Sequence, residues 1–194
     1  MSKAITESDL QRAADDLAVP LPTVKAVRAV ESAGKGFLAD GRPVILYERH
    51  IMRRRLREYG VDPAPYEKAQ PSLVNATPGG YQGGVREHER LDQAAKIHRE
   101  SALESCSWGL FQIMGFHWKL LGYPSLQSFV NAMYRSEGDQ LDAFVRFVKA
   151  NPSMHKALKR QDWTAFATAY NGPAQKGYDK RLAAAFKSAG GSIA

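Results

Sequence analysis

"AVRAVESAGKGF", residues 26–37, carries a helical apolar stripe into a glutamate and then breaks into glycines. Val24 and Val27 stand seven and four positions before Glu31, so on a helix the three side chains share one face. Valines turn that face inward, yet it ends in a carboxyl group. Two readings are open. Glu31 is either a surface residue at a frayed helix end or an acid seated in a partly apolar cleft.

On the N-terminal side, "TESDLQRAADDLA" (6–18) opens with Thr6 and, three residues on, Asp9, a capping-box-like start. Leu10, Ala13, Ala14 and Leu17 form its stripe. Pro20 and Pro22 of "VPLP" break the chain, so Thr23 is predicted to cap the next helix, which stops over Ser32 to Gly36. On the C-terminal side, "GRPVILYE" (41–48) is the best strand candidate, and a basic helix follows over 49–59. Residues 60–84 are rich in proline, glycine, serine and asparagine and read as an extended loop. Helical stretches are expected at about 86–103, 107–120, 125–134, 138–149, 153–158, 161–170 and 178–188. In "QLDAFVRFVKA", Leu141, Phe144, Val145 and Val148 form a buried stripe. The tail "SAGGSIA" is expected to fray. A mainly α (α+β) fold with one small β element follows.

The bulk properties narrow the function. A chain of 194 residues, 44% hydrophobic and 24% charged, suits one globular domain over 1–194. The single cysteine, Cys106, excludes an intramolecular disulfide and a cysteine-cluster zinc site, and it reads as a small buried residue. The start "MSKAITESDL" has no signal-type apolar run, and no segment approaches the ~18 apolar residues of a membrane span. Synthesis in the cytoplasm is therefore expected. None of His50, His88, His98, His117 and His155 has metal-site spacing, so no metal and no cofactor is expected. The net charge of +7 attracts polyanions. Arg53, Arg54, Arg55 and Arg57 are either a solvated helix face or part of an anion-binding surface.

Two further stretches could carry chemistry. "SCSWGLFQIMGF" (105–116) mixes small residues, Trp108 and Gln112 with bulky apolars, and alone reads as a buried helix with one satisfied glutamine. "ATAYNGPAQKGYD" (167–179) ends a helix in a turn, and alone reads as a C-cap with a proline stop.

Their order is more informative than any one of them. A helix ending in Glu-Ser, then "GLFQIM", then "AYNGP" resembles the lysozyme-like superfamily of soluble lytic transglycosylases and goose-type lysozymes. The fuller blocks "VESAGKGFLADGRPVILYERHIMRR", "PGGYQGGVREHERLDQAAKIHRESALESCSWGLFQIMGF", "FVNAMYRSEGDQLDAFVRFV" and "FATAYNGP" resemble the N-acetylmuramidase domain of phage and prophage endolysins, over about Val24 to Asp179. The resemblance implies a lysozyme-like fold whose β element borders the active-site cleft. It also implies an enzyme that cuts the β-1,4 bond between N-acetylmuramic acid and N-acetylglucosamine in peptidoglycan.

In such enzymes the glutamate of the "ES" block is the general acid, which here is Glu31. A carboxyl with a pKa near ~4.3 is ionised at neutral pH and cannot donate a proton. Seating it at the end of an apolar face favours the neutral form. A second carboxylate is Glu48, on the same alternating strand face as Val44 and Leu46, or alternatively Asp40. Pairing of Glu48 with Arg49 or Arg53 is the structural alternative, and Glu104 is assigned a structural role. Gln112, Tyr170 and Asn171 carry over from the family blocks as cleft residues, and Tyr47 and Tyr81 are candidate sugar stackers. Trp108 is assigned to the core.

The implied partner is the peptidoglycan glycan strand, with an electrostatic contact to the anionic bacterial surface, no nucleic acid and a monomeric protein. Release through a holin-type membrane pore is expected by the same resemblance. A separate cell-wall-binding domain, which some relatives carry, is not expected, because the first ~20 residues read as one helix and a break. The alternatives are a lytic transglycosylase giving 1,6-anhydro products, and a non-catalytic cationic wall-binding module.

Overall fold

The computed structural model describes residues 3–31, 35–173 and 176–192. Eleven helices and a three-stranded sheet are present among them. The chain divides into two compact units, Met1–Lys35 with Ser136–Ala194, and Gly36–Arg135.

The first unit is helical: α1 (Glu7–Leu17), α2 (Leu21–Glu31), α8 (Glu137–Lys149), α9 (Pro152–Lys159), α10 (Trp163–Asn171) and α11 (Tyr178–Ser188). The capping box of α1 forms as expected: the Asp9 amide donates to Thr6 Oγ1, and Asp9 Oδ2 accepts the Thr6 amide at 2.8 Å. Helix α2 starts two residues before the expected cap. Pro22 falls in its first turn, where helix amides have no intrahelical partner and proline is tolerated, so Thr23 lies inside the helix and is buried. Helix α11 packs along α2 and presents Tyr178, Leu182 and Phe186 inward at four-residue spacing. The stripe of α8 is buried as expected.

The second unit holds β1 (Ile45–Tyr47), α3 (Arg49–Glu58), α4 (Ala64–Ala69), α5 (Val85–Ala95), α6 (Arg99–Glu104), β2 (Cys106–Trp108), β3 (Ile113–Met114), a 3-10 turn over Gly115–His117, and α7 (Leu126–Arg135). The strands pair antiparallel in the order β1-β2-β3, with Leu46 opposite Ser107 and Ile45 opposite Trp108. Partners across an antiparallel pair share a face. Val44, Leu46, Glu48 and Ser107 therefore lie on one side, and Ile45, Tyr47, Cys106 and Trp108 on the other, which is buried. Cys106 and Trp108 are core residues, as expected.

Several expected elements differ. Residues 107–120 form a hairpin and a short turn rather than a helix. Gly109 (φ 69°) and Gln112 (φ 49°) adopt left-handed backbone, and Gln112 clasps the turn through Ser107 Oγ (2.6 Å) and the Gly109 carbonyl (2.8 Å). A short apolar run has no periodicity that separates strand from helix. The stretch 86–103 is two helices, because His98 leaves helical backbone and caps α6 by accepting the Ser101 amide. The strand of 41–48 shortens to three residues, and the 60–84 loop contains α4. No helix among the described residues is long and apolar enough to cross a membrane.

Candidate active site

Glu31 is the last residue of α2, below the buried side chains of Val24 and Val27. The helix face does end in a half-buried carboxyl rather than a fully exposed one. Its Oε1 accepts a 2.5 Å hydrogen bond from the Tyr178 hydroxyl. Burial raises the Glu31 pKa above the usual carboxylate range. The Tyr178 hydrogen bond and the positive charge of Arg181 pull it back, and burial prevails. Arg181, one turn along α11, lies over the Tyr178 ring at 5.6 Å. The hydroxyl of Tyr178 is itself held well above its ordinary pKa, first by burial and then by the adjacent carboxyl, so it stays a donor. Ser32, the second residue of the Glu-Ser block, lies outside the described residues, as do Ala33 and Gly34.

Tyr170 and Asn171 close α10 in the same unit. The Tyr170 ring stacks on Phe166 at 5.7 Å, meets Phe144 edge-on at 5.6 Å, and lies 6.1 Å from the Tyr178 ring. Burial and the nearby Glu31 charge hold its pKa well above normal. Tyr170 is thus part of the aromatic wall behind the acid, while Asn171 is exposed at the helix end. Gly172 follows with φ 79°, a left-handed position that suits glycine.

In the second unit, Glu48 sits on the less buried sheet face with Leu46 and Ser107. Its carboxylate accepts the Tyr81 hydroxyl at 2.8 and 3.0 Å, and His50 Nδ1 lies 3.2 Å from Oε2. Neither arginine pairs with it. Arg49 donates to the carbonyls of Pro71, Thr77 and Pro78, and Arg53 to Glu67. Tyr81 is 47% exposed, and its glycine-rich loop is anchored from beneath. Buried Glu87 accepts the amides of Gln82 (2.6 Å), Gly83 and Tyr47, and pairs with buried Arg90. Burial pushes the Glu87 pKa up, but the three amides and Arg90 outweigh it and hold the carboxyl below its usual range.

The remaining candidates separate clearly. Asp40 is exposed and tied to Arg42 by bonds of 2.7 and 2.9 Å, which hold its carboxyl below the usual range. Tyr47 cannot stack on a sugar: it is 0% exposed and its hydroxyl donates to the Leu73 carbonyl at 2.8 Å. The strand alternation that puts Glu48 on the less buried face is what buries Tyr47. Glu104 is structural, holding Arg55, Tyr59 and the Trp118 indole. Gln112 is exposed at the hairpin turn. Tyr178 and Arg181 adjoin Glu31 but are not among the candidates drawn from the sequence. The available signal was a tyrosine heading the stripe Tyr178, Leu182, Phe186, since a buried phenol needs a polar partner.

The Muramidase family model, described as N-acetylmuramidase, matches residues 20–190. The chain is similar to the crystal structure of a Burkholderia AP3 phage endolysin, with 52% identity and a TM-score of 0.94, over 98% of this chain and 73% of that one. No curated protein matches.

Proposed function

Since the chain belongs to the N-acetylmuramidase family, we propose that Glu31 is the general acid with which it cleaves the glycan strands of peptidoglycan. The observation that carries this reading is a half-buried carboxyl at the end of an apolar helix face, with its pKa raised by burial and one oxygen oriented by Tyr178. A neutral acid in that seat delivers its proton to the bridging oxygen of the β-1,4 bond as the carbon–oxygen bond breaks. Positive charge develops on the N-acetylmuramic acid ring, and addition of water leaves a reducing end. Tyr178 then hydrogen-bonds the glutamate left behind.

Glu48 is assigned the second carboxylate role in preference to Asp40. Glu48 accepts a hydrogen bond from a neutral phenol and has no arginine partner among the described residues, whereas Asp40 is already neutralised by Arg42. Asn171, Gln112 and Tyr81 are assigned to substrate contact, since each is exposed and offers an amide or an aromatic face. The similarity to a phage endolysin supports a role in host lysis; arrival at the wall after a membrane pore opens is part of the same proposal. A net charge of +7 favours approach to an anionic wall.

The test is Glu31→Gln, which keeps size and hydrogen bonding but has no proton to give. Clearing of a peptidoglycan suspension should fall by at least about 10²-fold while sedimentation with the wall is retained. Undiminished clearing would remove Glu31 from the mechanism. Mass analysis of the digest identifies the reaction: a reducing muramic end means hydrolysis, and an end one water lighter means transglycosylation.

A further inference from the structure

A cleft of about 390 Å³ opens in the second unit between α5, α6 and α7. Its floor is apolar, formed by Leu91, Leu103, Trp108 and Val130. Trp108 points away from the sheet face that carries Leu46, Glu48 and Ser107, because Ser107 and Trp108 alternate along β2. The cleft therefore lies off the face assigned to substrate cleavage. Its rim is polar and carries both signs of charge: Asp92 from α5 and Arg99 from α6, both exposed. Arg99 Nη2 donates to Gln127 Oε1, and Gln127 Nε2 donates to Asn131 Oδ1 at 2.7 Å, so the guanidinium and two amides are already lined up along one edge. Tyr134 stands at the opening, 37% exposed, with its ring 6.2 Å from that of Trp108.

The floor and the rim ask for different parts of one ligand. A saccharide carries hydroxyls around its ring and would leave them unpaired against leucine and valine. An aliphatic chain buries well there. A carboxylate and a guanidinium at the rim match an ammonium and a carboxylate on the same small ligand. We propose that this cleft binds the aliphatic diamino-acid residue of the peptidoglycan stem peptide, with its methylene chain on the Leu91–Val130 floor. Asp92 takes the ammonium, and Arg99 takes the carboxylate. The proposal rests on peptidoglycan being the substrate, and it adds a contact to the peptide where the family reaction concerns the sugar chain.

The experiment titrates the full chain, followed by amide NMR, with a free stem tripeptide ending in the diamino acid. Amide shifts confined to about 91–103 and 127–134 are expected at millimolar peptide. Asp92→Asn and Arg99→Gln should each weaken binding by about tenfold with circular dichroism unchanged, since both side chains are exposed. Acetylating the distal amine of the peptide should have the same effect as Asp92→Asn. The proposal is overturned if the tripeptide shifts no resonances in the cleft, or if both variants bind it as the parent does. It is also overturned if an N-acetylglucosamine tetramer shifts these resonances and the peptide does not. The tripeptide has no glycosidic bond, so its failure to bind leaves the role of Glu31 standing. An active Glu31→Gln enzyme would equally leave this titration unaffected.

Discussion

Replacing Tyr178 by phenylalanine removes one oxygen and tests the acid site from the side of its partner. That hydroxyl donates to Glu31 Oε1 at 2.5 Å from a buried ring. A hydrogen bond to an ionised group contributes about 1.5–3 kcal/mol, and one between neutral groups about 0.5–1.5 kcal/mol. Because Glu31 is half-buried and water reaches it, the lower half of each range applies. Stability should then drop by about 1.5–2 kcal/mol where Glu31 is ionised and by about 0.5–1 kcal/mol where it is protonated. The difference, about 1 kcal/mol, is the signature.

The sign follows from linkage. Burial raises the Glu31 pKa in the folded protein. Between the ordinary carboxylate range and that raised value the folded state binds more protons than the unfolded one, so stability falls as pH rises through the window. The tyrosine offsets part of this fall by stabilising the anion. Without it the pKa rises further, the fall deepens, and it extends to higher pH. Urea denaturation of parent and variant at several pH values between about 4 and 8 measures the stability arm. The pH profile of peptidoglycan cleavage measures the other, where loss of activity on the alkaline side should move to higher pH. A stability loss that is the same at every pH, or an alkaline limb that moves toward acid, would refute the proposed coupling between Tyr178 and Glu31.

Other outcomes follow from the second unit. Glu48→Gln should lower the turnover of peptidoglycan with little change in wall binding, whereas Asp40→Asn should leave turnover unchanged; equal losses in a clearing assay would reverse the assignment. Glu87→Ala leaves Arg90 buried without its counter-charge, and urea denaturation should show a loss of about 3–5 kcal/mol. Gly115→Ala would place a Cβ 2.3 Å from the Leu103 carbonyl oxygen, inside contact distance of backbone. The strain should cost about 1–3 kcal/mol, read as a fall in Tm.

Much of the first unit was legible because its signals are local. The Thr6 cap, the α1 and α8 stripes, and the Val24–Val27–Glu31 face each depend on residues within a few turns of one another. The structure departs from the local signals where a residue has two local solutions. Thr23 is a good cap by type, yet Pro22 is equally good in a first turn, and the helix took the earlier start. "GLFQIM" is apolar in either conformation, and the left-handed positions of Gly109 and Gln112 decided for a hairpin.

The sequence by itself determined that an acid would stand at the end of an apolar helix face, because a 3.6-residue period is a property of neighbouring residues alone. Only the tertiary structure decided what that acid meets. Tyr178 lies 147 residues away along the chain, Tyr81 lies 33 residues from Glu48, and Tyr47 lies 26 residues from the carbonyl that ties down its hydroxyl. Such pairings depend on which chain segments close on one another, and that closure is driven by burial of whole faces. No window of neighbouring residues contains it.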